Sequence, residues 1–123
     1  MTVPATPACV PMLRSMIGCV GAMLELPLDQ VEDLRLATSE ACSYLLSIAP
    51  KAKALRARID ADEATIEIAA PMHDSIHRVV SEGIDQFITW HILGALTDEA
   101  SLEWTAEGPV IRFCKSRTEA WTG

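Results

Sequence analysis

Positive charge is what this 123-residue chain has least of. Lys and Arg number 10 against 17 Asp and Glu, a formal net charge of −7, and the sequence pI is near 4.8. Broad nucleic-acid binding needs clustered Lys and Arg to neutralise phosphates, and this balance argues against it. Long apolar runs are missing too. The uncharged, mainly apolar stretch Ser15–Leu24 is far short of the roughly 20 residues a membrane-spanning helix needs. Met1–Pro11 carries no charged n-region, so no secretory signal is expected. There is no low-complexity tract and no internal repeat. Paired cysteine motifs are also absent: Cys9, Cys19, Cys42 and Cys114 form no CxxC or other zinc spacing. The expectation is four reduced thiols in a cytoplasmic protein, with no metal site.

What is present is apolar. Half of the residues are hydrophobic and the mean hydropathy is +0.21, which is high for a short soluble chain and suggests apolar surface kept for a partner. The length implies one domain, placed at residues 1–116, with a polar tail at 117–123 that contains Trp121.

Three helices and four to five strands are predicted. Pro7 and Pro11 mark the entry to the first helix, Val10–Glu25, where a first-turn proline loses no intrahelical bond. Leu13, Ile17, Val20 and Leu24 form one stripe at helical spacing, and Met12, Met16, Cys19 and Met23 form a second. Gly18 and Gly21 share a third face with Arg14 and Glu25. A helix apolar on so many sides is either a crowded core helix or one that a second subunit or partner covers. Its glycines imply that another backbone comes close. The second helix starts with Asp29 as N-cap and Glu32 in capping-box position. Val31, Leu34, Ala37, Ala41, Leu45 and Ile48 face the core, and Pro50 ends it.

The period then changes to two. Leu55, Ala57 and Ile59 alternate with Arg56, Arg58 and Asp60, and Ile66 and Ile68 alternate with Thr65 and Glu67, around an Ala61-Asp62-Glu63 turn. Arg56 and Arg58 should face Glu67 and Asp60 on the wet side of this hairpin. A third helix, Ile84–Leu96, is expected to bury Ile84, Phe87, Ile88, Ile92 and Ala95. A closing hairpin pairs Leu102 and Trp104 with Ile111 and Phe113 across Glu107-Gly108-Pro109, and Met1–Val3 adds a short edge strand. The fold class is α+β: a two-layer sandwich with helices on one face of a mainly antiparallel sheet.

Some chemistry-bearing residues read as ordinary. His73 and His77, at i and i+4, lack further ligands nearby and are expected to be a surface pair. His91 is expected to be partly buried, and Trp104 to be core. Ser39 has no histidine companion, so nothing supports a hydrolase.

The segment Asp33-Leu34-Arg35-Leu36-Ala37-Thr38-Ser39-Glu40-Ala41-Cys42 resembles the N-box helix of the anti-sigma-factor serine kinases. These are bacterial members of the GHKL superfamily, with a histidine-kinase-like ATPase fold. Trp90-His91-Ile92-Leu93-Gly94-Ala95-Leu96-Thr97-Asp98-Glu99-Ala100 is similar to the family's last helix and following strand. This version looks most like the actinobacterial branch that restrains the F-type stress and sporulation sigma factor.

The resemblance implies an ATP site built from a Glu that activates a nucleophile, an Asn one turn later that holds Mg²⁺, an Asp that reads adenine, and glycines that let backbone approach phosphate. Glu40 matches the Glu. Tyr44 stands at the Asn position, Ala70 at about the Asp, Met72 at a glycine, and Phe87 and Thr89 where glycines precede the last helix. The connector Pro71–Gly83 is too short for the usual ATP lid. These departures imply weak or lost ATP and Mg²⁺ binding and no efficient phosphoryl transfer. The resemblance further implies homodimerisation and sigma-factor contact through the first helix, with Arg14 at the position of a contact arginine beside Met12, Met16 and Gly18. The expected function is sequestration of a sigma factor, released when an anti-anti-sigma (STAS) antagonist competes. The alternatives are an active serine kinase with Glu40 as base, or a GHKL-derived dimerisation module with another partner.

Overall fold

The computed structural model describes residues 1–60, 65–72 and 84–115, with the side chains of Ile84 and Asp85 left out. The expected turn at Ala61-Asp62-Glu63, the His73/His77 pair, most of the Pro71–Gly83 connector and the tail with Trp121 lie outside the described residues.

The chain runs β1 (Thr2–Pro4), a 3-10 turn (Pro7–Cys9), α1 (Val10–Met23), α2 (Leu28–Ile48), β2 (Ala54–Asp60), β3 (Thr65–Ala69), α3 (Ile84–Leu96), β4 (Glu99–Thr105) and β5 (Gly108–Cys114). The strands form one five-stranded sheet in the order β1-β2-β3-β5-β4, and every pairing in it is antiparallel. Alternation puts Leu55, Ala57, Ile66, Ile68, Ile111 and Phe113 on one face, all buried beneath the helices. The other face carries Arg58, Glu67, Arg112 and Ser101 in one register row. This is the two-layer α+β sandwich that the sequence predicts.

The wet face pairs differently from expectation. Arg58 does sit opposite Glu67, but the ion pairs run from Arg112 to Glu67 at 3.0 Å and from Arg56 to Glu107 at 3.5 Å. The closing hairpin supplies partners that the reading of β2 and β3 alone could not include.

α1 and α2 form a helical hairpin. At the end of α1 the Leu26 N–H donates to the Gly21 carbonyl and the Glu25 N–H to the Ala22 carbonyl, both at 3.1 Å. This double bond is a Schellman closure, and it sets Glu25 at φ 56°, a left-handed position that glycine usually takes. The start of α2 corrects the expected cap. Pro27, at φ −54°, is the N-cap, and no side chain caps the helix. Asp29 therefore falls inside the first turn, where it accepts from the adjacent Gln30 N–H. Glu32 bonds Arg35 rather than closing a capping box. An acid in the first turn still suits the positive end of the helix dipole.

Two further expectations are overturned. The glycines of α1 do not admit another backbone. A Cβ at Gly21 would lie 2.7 Å from Cγ2 of Val31, and one at Gly18 would lie 3.5 Å from Cδ of Arg35, so α2 side chains occupy this space. α3 is rotated from the predicted face. Thr89 and Leu93 are buried, while Phe87 is 73% and Ile88 46% exposed. Ile92 is half-buried and Ala95 exposed. The Glu40 and Tyr44 side of α2 takes up Thr89 and Trp90, and the apolar residues opposite are left uncovered by the described residues.

Trp104 is half-buried and packs against the core. Lys115, just beyond β5, bonds Asp33 of α2 and the Leu96 carbonyl that ends α3. It ties the strand layer to two helices and places a cation at a helix C-terminus.

Candidate functional site

The helix layer has two seams, both on α2. In the first, α1 runs antiparallel to α2 with Gly21 against Val31 and Gly18 against Arg35. Continuing that register one turn along α1 brings Arg14 level with Ser39. The Arg35 side chain lies over Gly18, and its Nη1 donates to Glu32 Oε1 at 2.8 Å. The Nε atoms of Arg14 and Arg35 and the Oγ of Ser39 are buried and have no hydrogen-bond partner among the described residues. Such groups lose water without replacement, at a cost of about 1–3 kcal/mol each.

The other flank of α1 is uncharged. Met12 and Met23 are 52% and 81% exposed, Cys19 is exposed, and Met16 is half-buried against the core. Met12, Cys19 and Met23 thus line a surface that the described residues leave uncovered, with Met16 at its inner edge. Met16 is partly used at home, and Gly18 belongs to the α1–α2 seam rather than to the open flank. Cys42 is buried inside α2, where burial pushes its thiol up to about 12 and leaves it inert.

The second seam joins α2 to α3. The Thr89 hydroxyl donates to Glu40 Oε1 at 3.1 Å. Tyr44, buried, meets Trp90 edge to face with ring centroids 5.9 Å apart. Glu40, Tyr44 and Thr89, singled out as altered nucleotide-site positions, are therefore brought together and engage α3. Ala70 and Met72 lie elsewhere, extending β3 against the β4–β5 turn. Ala70 N–H donates to the Pro109 carbonyl at 3.1 Å and Met72 N–H to the Glu107 carbonyl at 2.7 Å. Gly108, at φ 130°, fits beneath them, since a Cβ there would lie 2.7 Å from the Ala70 oxygen. Phe87 is not in either group; it stands out from α3, stacked on His91 at 6.2 Å. His91 is exposed, not partly buried as expected, because it follows the rotated face of α3.

These residues fit ATP and Mg²⁺ poorly. The Tyr44 ring, at the position where the resemblance implies a cation ligand, is packed on Trp90. The Glu40 carboxylate already accepts from Thr89, and the backbone donors of Ala70 and Met72 are spent on β5 and its turn. Among the described residues no group of three or more His, Cys, Asp or Glu could hold a metal ion.

Sequence reasoning missed Arg35, Ser39 and Trp90. Trp90 could have been paired with Tyr44 once both were placed on adjacent helices.

No protein-family profile matches the chain. Two curated relatives do, both described as anti-sigma-F factor RsbW, from Mycobacterium tuberculosis strains CDC 1551 / Oshkosh and ATCC 25618 / H37Rv. Each is 34% identical over 88 residues, which is 72% of this chain and 51% of the relative. The chain thus spans about half the length of the relatives it matches. With its N-box-like α2 and the two-layer architecture, this similarity supports the anti-sigma-factor family and its actinobacterial anti-sigma-F branch.

Proposed function

We propose that this protein is a cytoplasmic anti-sigma factor that binds and sequesters an F-type sigma factor and yields it when an anti-anti-sigma antagonist of the STAS class competes. The observation that carries this reading is the similarity to proteins named anti-sigma-F factor, across 72% of the chain. The exposed Met12 and Met23 flank of α1 supports it, because unbranched, polarisable methionines adapt to more than one partner. In this reading Arg14, Met12, Met16 and Gly18 form or support the contact surface, and the working unit is a homodimer. Residues 1–116 act as one domain. The net charge of −7 suits a partner with basic patches and speeds encounter by steering.

No nucleotide enters this mechanism. The Thr89–Glu40 bond and the Tyr44–Trp90 contact support a helix pair that holds together without ATP. The serine-kinase reading keeps one supporting feature, the Glu40 carboxylate itself, and a module with a non-sigma partner keeps none on these residues. Titration of the purified chain with the F-type sigma factor of the same genome tests the proposal, alongside Mg²⁺-ATP. Sub-micromolar sigma binding with no nucleotide heat up to millimolar ATP is the expected result. Unchanged sigma-dependent transcription in the presence of excess protein overturns the anti-sigma reading, and micromolar Mg²⁺-ATP affinity restores the kinase.

A further inference from the structure

The sheet ends in two unlike edges. β1 is three residues long and ends in Pro4, and both features blunt an edge against further pairing. β4, at the other edge, runs seven residues without a proline, and its register with β5 is unbroken, so no bulge turns it aside. No described strand lies beyond it. Thr105 and Gly108 pair across a two-residue loop, which makes them a hydrogen-bonded pair. Alternation from that pair points the backbone N–H and C=O of Leu102 away from β5. The side chains alternate as well. Glu99, Ser101, Glu103 and Thr105 are exposed on the open face of the sheet, while Ala100, Leu102 and Trp104 are half-buried on the helix side.

The helix layer is open at the same end. α3 packs on α2 and on β4, whereas α1 packs on α2 and on β1, so α3 is the outermost helix over the β4 edge. On its face away from α2, Phe87 is 73% and Ile88 46% exposed, and a Cβ at Gly94 would meet nothing within 4 Å. Both layers therefore stop in apolar side chains that the described residues cover only in part.

β4 can pair antiparallel with a second β4, and charge selects one register. With Leu102 opposite Leu102 of the second copy, Glu99 faces Thr105 and Glu103 faces Ser101. Sliding by two residues one way sets Glu103 against Glu103, and the other way sets Glu99 against Glu103. Like charges directly opposite are destabilising. A slip of one residue turns the apolar row to the wet face. In the favoured register, Glu103 of the second copy also continues the alternating signs of Arg58, Glu67 and Arg112 across Ser101.

We propose that β4 is the seam of the homodimer: two copies of this chain join β4 to β4 antiparallel about Leu102, which continues the sheet from one copy into the other and brings the Phe87 and Ile88 faces of their α3 helices toward each other. The central Leu102 pair exchanges two backbone hydrogen bonds, and Ala100 lies opposite Trp104. Both helix layers fall on the same side of the joined sheet. α1 sits at the far end, across α2, so its methionine flank stays open to a different partner while the dimer is intact. The inference rests on the homodimer reading above and names its surface.

Sedimentation equilibrium of the full-length chain tests the seam. The parent should dimerise in the micromolar range or more tightly. Ser101→Lys should tighten the dimer about fivefold, because Glu103 of each copy gains an opposite charge, and Ser101→Glu should weaken it about fivefold. Adding Glu103→Lys to Ser101→Glu should restore the affinity, since the facing pair is then of opposite sign. Phe87→Ser should weaken the dimer at least about threefold through the lost apolar contact. Urea midpoints of these variants, taken at concentrations where each is monomeric, should stay near that of the parent, because the substituted side chains are exposed. The Leu102 amide should exchange slowly in the dimer and faster on dilution. A parent that stays monomeric throughout the micromolar range overturns the homodimer reading and the seam with it. A parent dimer whose affinity ignores the Ser101 variants, or answers both in the same direction, overturns the β4 seam and leaves the homodimer reading standing. A Leu102 amide that exchanges at one rate in monomer and dimer does the same.

Discussion

The two sides of α2 are finished differently. On the α3 side the chain supplies its own contacts: Glu40 accepts from Thr89, and Tyr44 rests its ring against Trp90. On the α1 side Val31 fills the space beside Gly21, yet Nε of Arg14, Nε of Arg35 and Oγ of Ser39 are buried with no hydrogen-bond partner among the described residues. One seam is closed for stability and the other is left chemically open. The resemblance of α2 to an N-box helix would place chemistry on the α3 side. In this chain Tyr44 and Thr89 on that side are buried, and the orphaned polar atoms face α1.

Breaking the closed seam should cost most. Tyr44→Ala removes a buried ring and its aromatic contact, and is expected to lose about 3 kcal/mol of stability in urea denaturation. Sigma binding at temperatures where the variant stays folded should survive, which would separate the two sides. Gly21→Val tests the open seam as packing rather than as polarity. Its Cβ would meet Val31 at 2.7 Å, so a loss of about 2 kcal/mol is expected from overpacking. A gain instead would show that α1 and α2 are looser than this geometry. The smallest effect has the opposite sign. Glu25→Gly relieves the left-handed residue that closes the α1–α2 hairpin, and should stabilise the protein by about 1 kcal/mol in the same assay.

The sequence made the helices and strands legible because their periods are clean. Val31, Leu34, Ala37, Ala41, Leu45 and Ile48 repeat at helical spacing and are all buried. Leu55 and Ala57 alternate with arginines and are buried as well. The rotation of α3 was not legible, because Phe87, Ile88, Thr89, Trp90, Ile92 and Leu93 give apolar groups on several faces and no single period. The neighbour decided it: α2 presents Glu40 and Tyr44, so the face with a hydroxyl and an indole edge turned inward. The cap of α2 was missed for a local reason. Asp29 and Glu32 spell a capping box, but the fixed φ of Pro27 starts the helix earlier. At the candidate site Arg14 and Glu40 could be named from resemblance alone. Arg35 and Ser39 needed the register of two helices, which no linear pattern contains.

The order β1-β2-β3-β5-β4 has a consequence for how the molecule is made. β5, the last described strand to be synthesised, is an interior strand, wedged between β3 and β4. Until it emerges from the ribosome, β3 has one bare edge and β4 has no sheet to join. The layer beneath the helices cannot close progressively from one end, so most of its cohesion should arrive in a late step. A nascent chain stalled before β5 would expose an adhesive strand edge, making this protein more dependent on protection during translation than its short length suggests.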